Sequence, residues 1–138
     1  MKYYCLGIKG AGMSTLACIL HDLGNEVIGY DDVVDYKFTQ EGLEKRGIKI
    51  YHDQEHVLDK DFIVTHSVAL KSDHKELVRA VDCGLKLVKY NEILGHLTSI
   101  FNSICVSGTH GKTTTSSLIT HILNNVPNTL PQAPFSLQ

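Results

Sequence analysis

The chain has 138 residues, of which 43% are hydrophobic and 20% charged, values typical of a globular protein with a core of its own. Its net charge of −2 gives no electrostatic reason to expect nucleic acid or an anionic membrane as a partner. The first apolar run, residues 3–8, is too short for a membrane span or a signal peptide, so we expect a cytoplasmic protein.

Short apolar runs alternate with segments of helical period, a pattern typical of an α/β fold with crossover helices. The predicted strands are residues 3–8, 26–30, 48–51, 62–65, 86–88 and 103–106. Most gaps between these runs are long enough for a helix. The sequence therefore predicts a parallel sheet with flanking helices.

Three helices are indicated by apolar residues at three- and four-residue spacing. The first ends at Gly24 and has its apolar face at Met13, Leu16, Ala17, Leu20 and Leu23. The second covers residues 73–83 and begins with a capping pair, Asp73 and Glu76. The third should end near Asn124, and its stripe is expected to be buried: Leu118, Ile119, Ile122 and Leu123.

Four cysteines lie far apart, in or beside apolar stretches, at Cys5, Cys18, Cys83 and Cys105. Their spacing is neither Cys-x-x-Cys nor that of a zinc site. Because cysteine is among the most buried residue types and cytosolic disulfides are rare, we predict four reduced core thiols.

A glycine-rich loop, residues 7–14, joins the first strand to the first helix, where a dinucleotide-binding loop would lie. Its glycines allow a tight turn and a close approach of the backbone to a diphosphate. Asp31 follows the second strand, where a carboxylate can accept from a ribose hydroxyl. Lys9 stands at the middle glycine of the pattern, and its side chain either obstructs the diphosphate or pairs with it. A glycine-rich turn without a ligand is the alternative.

A second loop, residues 108–114, reads Gly-Thr-His-Gly-Lys-Thr-Thr between an apolar run and an apolar-faced segment. Loops of this kind hold phosphate on the N–H groups of a helix N-terminus, with the Lys on the terminal phosphates and a Thr on Mg²⁺. The pattern predicts nucleotide binding at this loop. An ordinary helix N-terminus with threonine caps is the alternative.

The position of this second loop bears on domain organisation. It ends at residue 114 of 138, so the remaining residues are too few for the sheet that normally surrounds such a loop. We expect one complete domain, residues 1–99, and the opening of a second α/β domain, residues 100–124, with a first strand, phosphate loop and helix. Pro127, Pro131 and Pro134 lie where no periodicity is visible, so residues 125–138 are expected to be a disordered or truncated tail.

Taken together, the two loops resemble those of the Mur ligases of bacterial cell-wall synthesis, in which an N-terminal Rossmann-like domain holds a UDP-sugar and a central domain holds ATP. The resemblance covers residues 3–123 and rests on motifs in the family's order. Residues 7–14 are similar to its Gly-x-Gly-Gly-x-Gly-Met-Ser loop, 29–31 to its Gly-Ser-Asp and 67–70 to its Ser-Ser-Ala-Ile. The chain departs from the family pattern at Lys9, Tyr30, Val68 and Tyr90.

The resemblance implies a ligase that uses ATP and Mg²⁺ to activate the lactyl carboxylate of UDP-N-acetylmuramate for attack by an amine. His110 is similar to the His that both the members adding L-alanine and the related tripeptide ligases have in this loop, and the Ala-Gly-Met at 11–13 favours the members that add L-alanine. The implied UDP-sugar contacts are Gly7, Lys9, Gly10, Ala11, Gly12, Met13, Asp31, His52 and Ser67. The implied ATP contacts are Gly108, Thr109, His110, Gly111, Lys112, Thr113 and Thr114. Among these, Lys112 and Thr113 would be catalytic, and Thr113 would ligate Mg²⁺.

Other interpretations remain open on the sequence alone. The glycine loop and Asp31 also suit the cofactor domain of an NAD-dependent oxidoreductase or a noncatalytic nucleotide-binding module. His52 and His56 are four residues apart, as two metal ligands on one helix face would be, although no third ligand is evident. Because the family's distal parts are absent, we expect this chain alone not to catalyse ligation.

Overall fold

The structure is a computed structural model that describes residues 1–56 and 58–126. The predicted tail, including its three prolines, lies outside the described residues from residue 127 onward. The chain divides into two compact units, Met1–Leu97 and Thr98–Gln138. In the described ranges, no helix is long and apolar enough to cross a membrane.

The first unit contains a sheet of five parallel strands. These are β1 Lys2–Leu6, β2 Glu26–Tyr30, β3 Lys49–Tyr51, β4 Phe62–His66 and β5 Lys86–Lys89. The α/β fold class and the first five predicted strands are therefore confirmed. The strand order is β3-β2-β1-β4-β5, so the chain adds β2 and β3 on one side of β1 and then β4 and β5 on the other. This reversal leaves a crevice between the carboxyl ends of β1 and β4.

Four helices accompany the sheet: α1 Ala11–Asp22, α2 Gln40–Glu44, α3 Lys75–Asp82 and α4 Tyr90–Ile100. The first packs on β1, β2 and α2. Its predicted apolar face is buried except at the C-cap residue Leu23, which is 36% exposed. Periodicity predicted α1 correctly because its buried stripe is continuous along the helix.

The predicted cap of α3 was wrong by one residue. The N-cap is His74, whose Nδ1 accepts a hydrogen bond of 3.3 Å from the N–H of Glu76. Asp73 lies one position too early for its side chain to accept from that amide. A histidine ring nitrogen thus takes the place that short polar side chains usually hold.

The core of the first unit lies on both faces of the sheet. On the face packed with α3, it is formed by Tyr4, Leu6, Ile28, Tyr30, Phe62, Val64, Leu77, Ala80 and Leu85. Alternate residues of β1 and β2 point to the opposite face, where a Cβ on Gly29 would meet Ile8. Both faces are covered, which explains why the strands read as continuous apolar runs.

The prediction of four buried thiols was wrong for two of the cysteines. All four are free, but Cys83 and Cys105 are exposed and Cys18 is only partly buried, whereas Cys5 is fully buried. Cys83 is the C-cap of α3, where its thiol stays exposed, whereas Leu85 two residues later is buried.

The described part of the second unit, residues 98–126, holds the helix α5, Lys112–Asn125, which begins and ends close to the predicted positions. Residues 103–106 do not form the predicted strand. The predicted buried stripe is wrong as well, because Leu118, Ile122 and Leu123 are each about half exposed or more. Both errors have one cause: a strand needs a paired neighbour and an apolar stripe needs a packed surface, and residues 98–126 supply neither.

Candidate functional site

A groove of about 420 Å³ lies at the crevice between the carboxyl ends of β1 and β4. One set of lining residues comes from the glycine loop and the start of α1: Gly7, Gly10, Ala11, Gly12 and Met13. The other comes from the segment after β4 and from α4, with Ser67, Leu70 and Tyr90. Open parallel sheets bind ligands at this place, because the loops that follow the two strands lead to opposite faces of the sheet and leave a crevice between them.

The amides of the glycine loop are divided between structural and available groups. Gly7, Ile8 and Gly10 donate their N–H to backbone carbonyls, and Lys9 donates to a carboxylate. The first helical hydrogen bond of α1 runs from Ser14 N to Gly10 O, at 2.8 Å. Within the described part of the chain, this leaves the N–H groups at 11–13 without a partner at the positive end of the helix dipole, where they can bind an anion.

Tyr90 stands out in the sequence only as a departure from a family pattern, but it lines the groove. A Cβ on Gly12 would lie 3.2 Å from the Tyr90 hydroxyl oxygen, so the ring closes directly on the start of α1. No local signal indicates this contact, because the two residues are far apart in sequence. Ser67, also in the groove, accepts a hydrogen bond of 3.0 Å from the N–H of Ala69.

Lys9 does not line the groove. It is 1% exposed, and its ammonium donates to the carbonyl oxygens of Val33, Val34 and Asp35 at 2.7, 3.1 and 3.2 Å. In this structure the side chain therefore neither blocks the groove nor presents its charge there. It crosses instead to the segment after β2.

Asp31 and His52 belong to the same network of hydrogen bonds as Lys9. The Asp31 carboxylate accepts from the N–H of Lys9 at 2.8 Å and from the N–H of Val33 at 3.0 Å. The His52 Nδ1 lies 2.7 Å from the carbonyl oxygen of Asp31, which makes it a donor to that oxygen. Both oxygens of the carboxylate are engaged and the residue is buried, so its contact with a ribose hydroxyl stays a prediction.

His52 and His56 do not share a helix face, because the segment that follows β3 is not helical. The His56 ring stacks on Tyr51 with centroids 4.0 Å apart, and its Nε2 lies 3.0 Å from the Tyr4 hydroxyl. No group of three or more metal-ligating side chains occurs among residues 1–56 and 58–126. The metal interpretation of this pair thus has no structural support.

His56 should make stability depend on pH. Burial lowers its pKa below the ordinary 6.5, and the neighbouring Arg79 guanidinium lowers it further, against smaller opposing effects of Glu76 and Asp53. Below about pH 6.5 the unfolded chain binds this proton first, so the free energy of unfolding falls with decreasing pH until the folded-state pKa is reached. Urea denaturation between pH 5 and 8 should show a shallower dependence in His56→Phe, which keeps the ring on Tyr51. Equal slopes in the two proteins would contradict this assignment.

The second unit contains the predicted phosphate loop immediately before α5. Gly111 is the N-cap with φ of 76° and Gly108 has φ of 152°, backbone conformations that favour glycine. The Lys112 ammonium folds back onto the Gly108 carbonyl oxygen at 2.6 Å. The first hydrogen bond of α5 runs from Thr115 N to Gly111 O, so within residues 98–126 the N–H groups of residues 112–114 have no backbone partner and can donate to an acceptor.

The chain matches one known protein family. Residues 2–102 correspond to the family described as "Mur ligase family, catalytic domain". The matched residues contain the whole five-stranded sheet and end before the glycine-containing loop at 108–114.

Similar structures come from the same group of ligases. A UDP-N-acetylmuramate-alanine ligase from Thermotoga maritima has 30% identity and a TM-score of 0.79 over 90% of this chain. A murein peptide ligase from Psychrobacter arcticus has 31% identity and a TM-score of 0.74, also over 90%. A UDP-N-acetylmuramate:L-alanyl-gamma-D-glutamyl-meso-diaminopimelate ligase from Neisseria meningitides, at 24% identity over 98% and a TM-score of 0.70, supports the fold.

The chain covers 29%, 26% and 49% of these three proteins, which is less than two thirds of their length. Because that match extends over residues 2–102 of 138, the chain belongs to the Mur ligase family.

Proposed function

We propose that the first unit binds the diphosphate of UDP-N-acetylmuramate in the groove between β1 and β4. One observation carries this proposal: three N–H groups, at residues 11–13, that are unpaired among residues 1–56 and 58–126 lie at the beginning of a 12-residue helix that lines this groove. Such groups hold the oxygens of a diphosphate without any cationic side chain. Membership in the Mur ligase family supports a UDP-sugar over other diphosphates.

The residues predicted to bind the UDP-sugar fall into two groups in this proposal. Direct contacts come from Ala11, Gly12 and Met13 through their amides, from Gly7 and Gly10 through close approach of the backbone, and from the Ser67 hydroxyl. Lys9, Asp31 and His52 act indirectly, by holding the segment after β2 against the glycine loop. The affinity for the UDP-sugar thus depends on the backbone conformation of the glycine loop as much as on side chains.

The second unit is proposed to hold the phosphates of ATP. The residues fit this group, because Gly108 and Gly111 turn the loop tightly and Lys112, Thr113 and Thr114 present N–H groups that have no partner in the described part of this unit, at the start of α5. Thr109 and His110 complete the loop. Lys112 would neutralise phosphate charge, and the Thr113 hydroxyl would ligate Mg²⁺. ATP, when bound, supplies the phosphoryl group that activates a carboxylate for amide formation.

For the whole enzyme, we propose ATP-dependent joining of L-alanine to UDP-N-acetylmuramate in the synthesis of cell-wall precursors, in the cytoplasm. The identities to an alanine ligase and to a murein peptide ligase, 30% and 31%, do not separate these two activities. His110 fits both activities, and the Ala-Gly-Met at 11–13 favours the alanine ligase.

Calorimetric titration with UDP-N-acetylmuramate, NAD and Mg-ATP in parallel tests the proposal. We expect the UDP-sugar to bind and NAD not to bind, because the groove is completed by Tyr90 and Ser67 rather than by a second nucleotide site. Binding of NAD without the UDP-sugar would establish an oxidoreductase cofactor domain instead. Binding of neither would exclude the groove as a site in this chain.

Gly12→Ala should weaken binding of UDP-N-acetylmuramate by about tenfold, equivalent to about 1.4 kcal/mol. The added Cβ would lie 3.2 Å from the Tyr90 hydroxyl and 3.4 Å from the ring carbon that carries it, so the ring must move within the groove. Thermal unfolding should change little, because an alanine suits a helix.

Gly95→Ala is the matched control for this substitution. A Cβ at that position in α4 would meet nothing within 4 Å. It should leave the affinity for UDP-N-acetylmuramate unchanged. If Gly12→Ala also binds normally, the start of α1 is not part of the ligand site.

A further inference from the structure

Lys9 is tied to the segment 31–39, the β2–α2 loop, by every polar group it has. Its N–H donates to the Asp31 carboxylate at 2.8 Å, and its carbonyl oxygen accepts from the Thr39 hydroxyl at 2.7 Å. Its ammonium donates to three consecutive carbonyl oxygens, at 33–35. A single residue of the glycine loop thus holds both ends and the middle of the neighbouring loop.

The β2–α2 loop is anchored at its start, where His52 contacts the Asp31 carbonyl oxygen and His74 pairs with Asp32, but its middle has little packing of its own. Val34, Tyr36 and Phe38 are 72%, 62% and 83% exposed, so their side chains contribute little packing that would order the backbone. Three carbonyl oxygens converge on one ammonium, which has three donors and, in the described residues, no ion pair with a carboxylate. The order of the middle of this loop therefore depends on the charge and length of Lys9.

The same contacts act on the groove. Lys9 immediately precedes Gly10, the N-cap of α1, and the unpaired amides at 11–13 follow at once. The Lys9 N–H is held by Asp31, and the Lys9 carbonyl oxygen is held by Thr39. A displaced β2–α2 loop would release these two bonds and with them the orientation of the helix start.

We propose that Lys9 is a positioning residue for the diphosphate groove, bracing the glycine loop against the β2–α2 loop while its ammonium stays out of contact with the ligand. This inference rests on the proposed function, because it concerns the site of the UDP-sugar. A preorganised set of amides binds an anion more tightly than one that must be ordered on binding. Lys9 therefore contributes to affinity through the backbone and not through its charge at the phosphate.

Hydrogen exchange on the ligand-free protein tests the brace directly. Lys9→Met preserves the approximate length of the side chain and removes the donors, and we expect exchange of the amides at 33–39 to accelerate about tenfold, as for loss of one charge-assisted hydrogen bond. Exchange in the strands should not change. Lys60→Met is the control, since it removes the same charge from an exposed residue that precedes β4, at the opposite end of that strand from the groove.

Titration with UDP-N-acetylmuramate at several salt concentrations tests whether the Lys9 ammonium stays out of contact with the ligand. Lys9→Met should raise the dissociation constant about tenfold, while the dependence of affinity on salt stays that of the unaltered protein, because no ligand contact of the ammonium is lost. A weaker salt dependence in Lys9→Met, with normal exchange at 33–39, would overturn the proposal and place the ammonium on the diphosphate.

The two experiments separate this inference from the proposed function. If the unaltered protein does not bind UDP-N-acetylmuramate, the proposed function fails, and exchange at 33–39 still decides whether Lys9 is the brace. Should Lys9→Met not fold, Thr39→Val removes only the bond to the Lys9 carbonyl and should accelerate exchange of the same amides to a smaller extent. Unchanged exchange in a folded variant would refute the brace.

Discussion

Gly29→Ala is expected to reduce the free energy of unfolding by about 3 kcal/mol, at the upper end of the usual cost of overpacking a core. A Cβ on Gly29 would lie 2.3 Å from the Cδ1 of Ile8, 2.7 Å from its Cβ and 2.9 Å from the carbonyl oxygen of Cys5. Real contacts of a Cβ are not this short. The chain must therefore move one of these groups or separate two strands.

Neither neighbour of Gly29 can give way at low cost. Ile8 is fully buried, so its side chain has no solvent to turn into. The Cys5 carbonyl belongs to β1, which pairs with β2 on one side and β4 on the other. Gly29 is also the residue of β2 opposite Cys5 in the parallel register, so the clash falls in the middle of the sheet.

Urea denaturation measures this effect, with Gly95→Ala as the control that adds the same methyl group where a Cβ meets nothing within 4 Å. That control should be neutral or slightly stabilising, since alanine has the higher helix propensity. A loss below about 0.5 kcal/mol in Gly29→Ala would mean that Ile8 repacks freely, contrary to the density of protein cores.

Glu76→Ala is expected to destabilise the fold by about 3 to 5 kcal/mol, the range for removal of one partner of a buried ion pair. The Glu76 side chain is fully buried, while that of Arg79, its partner at 3.3 Å, is 21% exposed. The same carboxylate accepts a hydrogen bond of 2.6 Å from the Tyr4 hydroxyl. Burial, with this hydrogen bond to a carboxylate, raises the pKa of Tyr4, which therefore remains a donor.

Truncation of Glu76 would remove the carboxylate that accepts from the Tyr4 hydroxyl and pairs with the Arg79 guanidinium. Arg79 also donates to the backbone carbonyl of His56, so the segment after β3 is connected to the same pair. Glu76→Gln should cost less than Glu76→Ala, because an amide oxygen still accepts from Tyr4. The double variant Glu76→Leu/Arg79→Met should recover part of the loss, since apolar side chains need no charged partner.

Urea denaturation of Glu76→Leu, Arg79→Met and their double variant gives the coupling between the two side chains. Glu41→Ala is the control, because Glu41 forms an exposed pair with Lys45 at 2.8 Å, and such pairs contribute little. Equal midpoints for Glu76→Ala and Glu41→Ala would show that the buried pair does not hold α3 to the sheet.

The sheet was predictable from sequence because its strands are covered on both faces. Each strand then appears as a short run of apolar residues whatever its neighbours are, and β1 to β5 were all recognised in this way. The first helix was equally clear, since its apolar positions repeat with the helical period. In contrast, residues 103–106 have the same apolar character but form no strand, because pairing requires a second segment that local sequence does not reveal.

The groove was predicted in part. The glycine loop carries a recognisable spacing of residues, so the positions of Gly7, Gly10 and the start of α1 follow from the sequence alone. Tyr90 could not be assigned, because its approach to Gly12 depends on how α4 is placed beside the sheet. Long-range contacts of this kind leave no periodic signal.

The sequence by itself determined the class of fold and predicted two phosphate-type loops, since both inferences arise from local patterns of apolar residues and glycines. Only the tertiary structure decided where the Lys9 side chain points, because its partners at 33–35 belong to the β2–α2 loop, which folding brings beside the glycine loop. It also decided that the Asp31 carboxylate is engaged by backbone amides. The physical reason is that spacing along a chain places a residue on an element, whereas the direction of a buried charge is set by the donors and acceptors that folding brings around it.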